Sequence, residues 1–214
     1  MADWGFSHLP PITPEKAVDL GCGGGRNAGE LLKKYPERKF IVVDTLSIST
    51  PQALLVLKAH ELYRAGKPIE EVGAWLENNK MRAQAWFAVD DLKYLKRGGR
   101  VSPAAAAFGT MLDIKPVLTE ARDGTLVPVE KVRGKKKAIN LLLDKLVENT
   151  PDPEESMAIV LNADVPEEAE QLRKAAEERI PGLKVRVANI GPVIGAHCGP
   201  GTLAITFLGK ERKI

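Results

Sequence analysis

The stretch AVDLGCGGGRNAGELLKKYPERKFIVVD (17–44) decides the fold of the first part of the chain. Its opening apolar run, 17–20, stops at a cluster of glycines. Over 26–35 apolar residues recur at helical spacing until Pro36 ends the pattern. The run 39–44 places four apolar residues, mostly β-branched, before an aspartate, which is typical of a buried strand. The order strand, glycine turn, helix, strand predicts a βαβ unit with parallel strands.

The rest of the chain continues to mix strands and helices. Helices are predicted at 51–66, 68–82, 102–112, 135–149 and 166–180. Strands are predicted at 85–90, 114–119, 125–132, 157–163 and 184–191, and 192–209 predicts a glycine-rich loop followed by a last strand. The Asp-Gly pair at 123–124 is a hairpin signal between two of these strands. We therefore expect an α/β fold, with a small parallel Rossmann-like α/β/α part (1–84) joined to a mixed or antiparallel α/β domain (85–214).

Composition excludes several classes of protein. Hydrophobic residues make up 44% and charged residues 28% of the 214 residues, which is typical of a globular chain rather than a disordered one. No apolar run approaches the roughly 18 residues of a membrane-spanning helix, so membrane insertion is not expected. The first residues lack the pattern of a secretory signal. The two cysteines, Cys22 and Cys198, are too few for a disulfide framework or a four-cysteine zinc site. We expect a cytoplasmic protein without a bound metal.

The charge pattern does not indicate nucleic-acid binding. The net charge is only +3, from 31 basic and 28 acidic residues. Basic residues cluster at 93–100 and 131–137, and Tyr94 is the one aromatic residue there that could stack on a base. A solvated surface is the favoured interpretation of both clusters over a phosphate-binding surface, and contact with a protein partner is a further alternative.

The glycine loop at 18–27 is the first candidate site. Glycines at 21, 23 and 25 let backbone amides approach a ligand at a helix start. Asp44 ends the next strand, where a carboxylate can accept hydrogen bonds from two ribose hydroxyls. A tight turn without a ligand is the alternative.

This region resembles a known enzyme family. ADWGFSHLPP followed by AVDLGCGGGRNAGELLKKYP is similar to the start of a class I S-adenosylmethionine-dependent methyltransferase, over about residues 2–44. The resemblance implies that Asp19, Gly21 and Gly23 line the methionine end of the cofactor, with Gly25 in the same loop, and that Asp44 holds the ribose. The further βα units of that fold are missing from the sequence. Methyl transfer is therefore not expected, and binding of S-adenosylmethionine or a nucleoside is an alternative function.

The larger part of the chain, from about residue 41, resembles a second family. VVDTLSIS, FAVDDLKYLKRGGRVSPAAAAFGTMLDIKPVLT, DGTLVPVEKVRGKKKAI and IGPVIGAHCGPGTLAITFLG are similar to the DegV family of bacterial fatty-acid-binding proteins. The resemblance implies a DegV-like mixed α/β domain, and a long-chain acyl group in an apolar tunnel with its carboxylate near the domain seam. It also implies a partner kinase that phosphorylates the carboxyl group.

The resemblance implies roles for individual residues. His197 and Ser47 become candidates for the fatty-acid headgroup, and Arg133 becomes a candidate contact with the kinase. Small residues in 104–112 offer room for an acyl channel. Each feature has a structural alternative: a packed core histidine, a solvated arginine, and close helix packing without a cavity.

The sequence also departs from the DegV pattern. The TDS-type and SGT-type motifs, whose hydroxyls hold the acyl carboxylate in that family, are absent. The methyltransferase-like unit stands in their place, and both resemblances meet in the strand FIVVD (40–44). We therefore expect an engineered fragment-exchange chimera without evolved or catalytic activity, with residual fatty-acid binding and no required cofactor. Its oligomeric state is expected to be a monomer or a homodimer.

Overall fold

The computed structural model describes residues 16–20, 26–102, 113–150, 153 and 156–214. Within these ranges the chain forms eight strands: β1 Lys16–Leu20, β2 Lys39–Val43, β3 Ala83–Ala88, β4 Ile114–Glu120, β5 Leu126–Arg133, β6 Met157–Asn162, β7 Lys184–Asn189 and β8 Leu203–Leu208. The α-helices of the same ranges are α1 Arg26–Lys34, α2 Ser49–Arg64, α3 Ile69–Asn79, α4 Lys93–Arg97, α5 Lys135–Asn149, α6 Pro166–Arg179 and α7 Pro192–Cys198. A short 3₁₀ turn, Lys80–Arg82, leads from α3 into β3.

The strands form two sheets. β1 and β2 are a parallel pair, which confirms the predicted direction of the βαβ strands. The other six strands make one mixed sheet in the order β5-β4-β3-β8-β6-β7. Only β6 and β7 are parallel in it, and the remaining neighbours are antiparallel. The predicted hairpin at Asp123–Gly124 joins β4 to β5, and Gly124 has the positive φ of 83° that such a turn favours.

The two faces of the six-stranded sheet pack against different helices. Alternating residues of a strand point to opposite faces. Val160 of β6 and Ile205 of β8 are fully buried in a cluster with residues of α5 and α6. Their neighbours Leu161 and Ala204 belong to a second cluster, with residues of α2, α4 and α7. The second face is therefore covered by the start of α2 and by two short helices.

The expected separate Rossmann-like part is not seen in the described ranges. The β1–β2 pair packs against a small cluster that contains Leu55 of α2 and Leu76 of α3. The same cluster includes Ala83 of β3, and Leu208 of β8 packs against it; both strands belong to the six-stranded sheet. A shared core therefore joins the two sheets. The domain boundary at 84/85 stays a prediction.

The predicted loop at 192–198 was wrong, since this segment is the helix α7. Pro192 occupies its first turn, where the fixed φ of proline suits a helix, and Gly199 ends it with a φ of 81°. His197 therefore lies in the last turn of a helix. The helix predicted at 102–112 falls outside the described residues from 103 onward.

The contact between α3 and β2 gives a test of this packing. A β-carbon on Gly73 of α3 would lie 2.9 Å from Cγ2 of Ile41, so we expect Gly73→Ala to lower the free energy of unfolding by about 1–2 kcal/mol. Gly29→Ala in α1 is the control, because no atom lies within 4 Å of its new methyl group. Helix propensity alone predicts a gain of up to about 1 kcal/mol there. Urea unfolding measures the free energy of unfolding of both variants. If Gly73→Ala and Gly29→Ala stabilised the protein equally, the close packing of α3 on Ile41 would be contradicted.

Candidate functional site

A cavity of about 170 Å³ lies between the second face of the six-stranded sheet and the helices α2, α4 and α7. The strand residues that line it come from five neighbouring strands and are Leu126, Glu120, Ala85, Phe87, Ala204, Thr206 and Leu161. The other side is formed largely by the residues that begin α2, Ile48–Pro51, together with residues of α7. Because the lining is mostly apolar with a few polar groups, the cavity suits an apolar ligand that carries a polar end.

The size of the cavity, as formed by the described residues, limits the size of the ligand that it can hold. A dry cavity of about 150 Å³ holds a benzene molecule in a protein core. A volume of about 170 Å³ therefore accepts several methylene groups but not a complete long acyl chain. The small-residue run at 104–112, predicted to leave a channel open, lies outside the described residues.

Three threonines that line the cavity use their hydroxyl protons within the protein. Oγ1 of Thr206 donates to the carbonyl oxygen of Ile159 at 3.1 Å, so it accepts the proton of Thr50 Oγ1 at 2.8 Å. Oγ1 of Thr202 donates to the carbonyl oxygens of Cys198 and Gly199 at the end of α7. These hydroxyls therefore offer a ligand only lone pairs, and none of them is a donor for a carboxylate.

His197 and Arg100 are the lining residues that can donate to a carboxylate through a ring nitrogen or a guanidinium. Gly98, which follows α4, places both. Its Cα lies so close to the imidazole that an added β-carbon would stand 2.1 Å from His197 Nδ1. Its carbonyl oxygen accepts a hydrogen bond of 2.6 Å from Arg100 Nη1. Ser49 adds an exposed hydroxyl to the lining.

Ser47, the other predicted headgroup residue, contacts a carboxylate that belongs to the protein. Its Oγ donates to Oε2 of Glu120 at 2.6 Å, and the backbone N–H of Ile48 donates to Oε1 at 3.2 Å. Glu120 is only 2% exposed. Ser47 does not line the cavity beside His197, and its role as a ligand contact stays a prediction.

Glu120 also faces a buried arginine. Arg212 is 4% exposed, and its Nη1 lies 3.5 Å from Glu120 Oε2 while donating to the carbonyl oxygens of Leu46 and Ala121. Burial raises the pKa of Glu120 above its usual value, against the lowering effects of Ser47, Ile48 and Arg212. Burial likewise lowers the pKa of Arg212, which Glu120 opposes. The sequence carried no signal for this pair, because a charged residue at a strand end normally lies in solvent.

The remaining predicted site residues lie elsewhere. Arg133 is exposed at the end of β5 and does not line the cavity. Asp44 accepts a hydrogen bond of 3.0 Å from the N–H of Leu46, so its carboxylate caps the turn before α2. Asp19 lies in β1, paired with Val42 of β2. Gly21, Gly23 and Gly25 fall outside the described residues.

The described ranges contain neither a metal-binding cluster nor a membrane-spanning helix. No group of three or more histidine, cysteine or acidic side chains there is arranged to hold a metal ion. No helix of this part of the chain combines the length and apolar character needed to cross a bilayer.

Comparison with known proteins identifies the family. The model of the DegV family of uncharacterised proteins matches residues 23–210. The chain belongs to the DegV family. A DegV domain-containing protein of Clostridium perfringens is 40% identical over 184 residues, which cover 86% of this chain and 63% of that protein. A relative from Staphylococcus aureus is 32% identical and covers 100% of this chain and 73% of its own length. The chain thus spans about two thirds of the length of its DegV relatives.

Solved DegV structures share the fold. A fatty-acid-binding DegV family protein from Streptococcus agalactiae superposes with a TM-score of 0.78 at 29% identity, covering 92% of this chain and 71% of that one. A DegV family protein from Thermus thermophilus, described by its fatty-acid binding, gives a TM-score of 0.80 at 28% identity and covers 97% and 74% of the two chains.

These matches correct the expected origin of the chain. The DegV match begins at residue 23 rather than near residue 41, and the S. aureus relative aligns along the whole chain. The segment that resembles a methyltransferase is therefore largely included in the DegV match. The comparisons give no support for a methyltransferase segment, a fragment exchange or an engineered origin.

The burial of Glu120 in this DegV protein predicts a pH dependence of stability. Because its pKa is raised in the folded state, the folded protein binds more protons than the unfolded one between about pH 4.3 and that raised pKa. We expect the free energy of unfolding of the wild type, relative to Glu120→Gln, to fall as pH rises through this window. Urea titrations of both proteins from pH 4 to 8 measure the difference. If the unfolding free energy of the wild type relative to Glu120→Gln instead rose with pH, the hydrogen bonds and charge of Ser47, Ile48 and Arg212 would outweigh the effect of burial on the pKa of Glu120.

Proposed function

We propose that this DegV protein binds a fatty acid, with part of the acyl chain in the cavity beside α7 and the carboxylate at His197 and Arg100. The observation that carries the proposal is an apolar cavity with an imidazole and a guanidinium in its lining. The fatty-acid-binding DegV proteins of S. agalactiae and T. thermophilus, which share this fold, support it.

The energetics of such a ligand match the lining. Each buried methylene group contributes about 0.8 kcal/mol, so even a partial acyl chain gains several kcal/mol from Phe87, Leu161 and their neighbours. A carboxylate, in contrast, loses its hydration and needs charged or N–H donors to replace it. His197 is half-buried and Arg100 is exposed, so a headgroup placed between them stays near solvent.

Binding, rather than catalysis, is the proposed activity. The one thiol in the described lining belongs to Cys198, and burial raises its pKa, so at neutral pH it is protonated and a poor nucleophile. The three threonine hydroxyls are held by other protein groups, as described above. None of these side chains is activated for attack on an acyl group.

A kinase that receives the bound fatty acid is the proposed partner, with Arg133 as a contact. The proposal rests on the family resemblance and on the exposure of Arg133 at the end of β5. Because Arg133 does not line the cavity, Arg133→Ala is expected to change a kinase interaction and leave fatty-acid affinity unchanged.

Native mass spectrometry of the protein purified from a bacterial host tests the function directly. We expect an adduct of fatty-acid mass that is lost on denaturation, and its return when palmitate is added to stripped protein. S-adenosylmethionine serves as the control ligand and is expected to give no adduct. A chain that stays bare in the presence of excess palmitate would refute fatty-acid binding.

The assignment of the headgroup donors is tested by substitution. Removing a hydrogen bond to a charged group costs about 1.5–3 kcal/mol, so we expect His197→Ala and Arg100→Gln each to weaken palmitate binding by about tenfold or more. His60→Ala and Arg97→Gln are matched controls, since both side chains are exposed and lie outside the cavity lining. Titration calorimetry measures the four affinities. Equal affinities in the variants and their controls would place the carboxylate elsewhere.

A further inference from the structure

We infer that Ser47, Ile48 and Arg212 form a binding site for a carboxylate, and that Glu120 fills this site from within the chain. The inference rests on contacts separate from the His197 and Arg100 pair. It does not depend on the proposed function.

The donors surround both oxygens of the Glu120 carboxylate. Oε1 accepts the N–H of Ile48, and Oε2 accepts the hydroxyl of Ser47 and faces Nη1 of Arg212. These donors come from the segment before α2 and from the residues after β8, whereas the carboxylate comes from the end of β4. Hydroxyl, backbone N–H and guanidinium groups converging on two oxygens are the usual means of recognising a free carboxylate.

Arg212 makes no close hydrogen bond to Glu120, and one of its nitrogens is unpaired among the described residues. The Nε of Arg212 is buried and has no hydrogen-bond partner among the described residues. The contact of Arg212 Nη1 with Glu120 Oε2, at 3.5 Å, is also longer than the 2.7–2.9 Å of a close charge-assisted hydrogen bond. The position of Oε2 is constrained by the attachment of Glu120 to β4. Both N–H groups of Nη1 donate to the carbonyl oxygens of Leu46 and Ala121, so Arg212 acts on Oε2 through its charge rather than through a close hydrogen bond.

The site lies between two openings in the molecule. Glu120 and Ile48 line the apolar cavity. Glu120 and Arg212 also line a polar cleft of about 460 Å³ on the side of the C-terminal residues 211–214. Truncation of Glu120 therefore leaves the donors in reach of a small carboxylate from either side. The atoms that Glu120→Ala removes, one methylene and the carboxylate, match acetate in size.

One consequence concerns the ligand, and this step rests on the proposed function. A fatty-acid carboxylate placed beside Glu120 would meet a second carboxyl group and find its donors occupied. The ligand is thereby turned, with its carboxylate toward His197 and Arg100 and its alkyl chain toward Glu120. Glu120 then determines the orientation of the bound fatty acid.

Rescue by acetate tests the carboxylate site without any fatty acid. We expect Glu120→Ala to lower the melting temperature, and sodium acetate at 100 mM to raise that temperature by about 2–4 °C relative to sodium chloride at equal ionic strength. Leu118→Ala is the matched control, since it truncates a fully buried side chain of the same strand without exposing these donors. Acetamide replaces acetate in a parallel series, because it has the same shape without the charge.

The outcomes separate a carboxylate site from a simple packing defect. Selective stabilisation of Glu120→Ala by acetate, weakened when Ser47→Ala is added, supports the site. Equal effects of acetate on the Leu118→Ala control, or equal effects of acetate and acetamide, overturn it. If Glu120→Ala does not stay folded, the refolding yield with and without acetate gives the same comparison.

Palmitate titrations test the orientation step separately. The quantity compared is the factor by which His197→Ala weakens palmitate binding. We expect this factor to be at least fivefold smaller in the Glu120→Ala background than in the wild type, because the donors freed by the truncation accept the carboxylate of a ligand bound in the opposite orientation. An unchanged loss overturns the orientation step. Failure of the wild type to bind palmitate refutes the proposed function, and the acetate series still decides the carboxylate site.

Discussion

The contact between the Glu120 carboxylate and the segment that precedes α2 is the interaction on which the cavity depends. Two non-glycine residues with positive φ lie here, Leu46 at 49° within the segment and Ser49 at 58° at the first position of α2. Such conformations cost about 1–3 kcal/mol each and persist only where the surroundings hold them. Glu120 binds Ser47 and Ile48, and Arg212 binds the carbonyl oxygen of Leu46. These contacts thereby fix the residue at which α2 begins and the position of its first residues opposite the sheet.

The cavity follows from the unequal cover of the two faces of the sheet. The long helices α5 and α6 cover one face, and their side chains close that core. The other face is covered by the start of α2 and by α4 and α7, which have five and seven residues. Short helices bury less apolar surface than long ones, so space remains above Ala85 and Ala204. Close packing of His197 on Gly98 then turns an imidazole toward that space.

Sequence patterns predicted most elements because their signals are local. The strand and helix order of 16–43 and the helix at 135–149 follow from apolar periodicity and were confirmed. The helix α7 was missed although Pro192 and Gly199 are ordinary start and stop signals, because three glycines suggested a loop. The resemblance to a methyltransferase covered only about residues 2–44 and included a glycine turn that suits many α/β proteins, whereas the longer DegV match gave the correct family.

Some features of the fold and the candidate site could be predicted from the sequence, and others could not. The sequence by itself determined the family, the mixed α/β fold, the hairpin at Asp123–Gly124 and His197 as a candidate donor, since these depend on short-range patterns or on resemblance. Only the tertiary structure decided that Glu120 and Arg212, 92 residues apart, share one buried site with Ser47. It also decided that the threonines of the cavity are not donors. Both findings depend on which groups come into contact in the folded protein. Burial and hydrogen bonding between residues far apart in sequence produce no periodic pattern in the chain, so the sequence could not predict them.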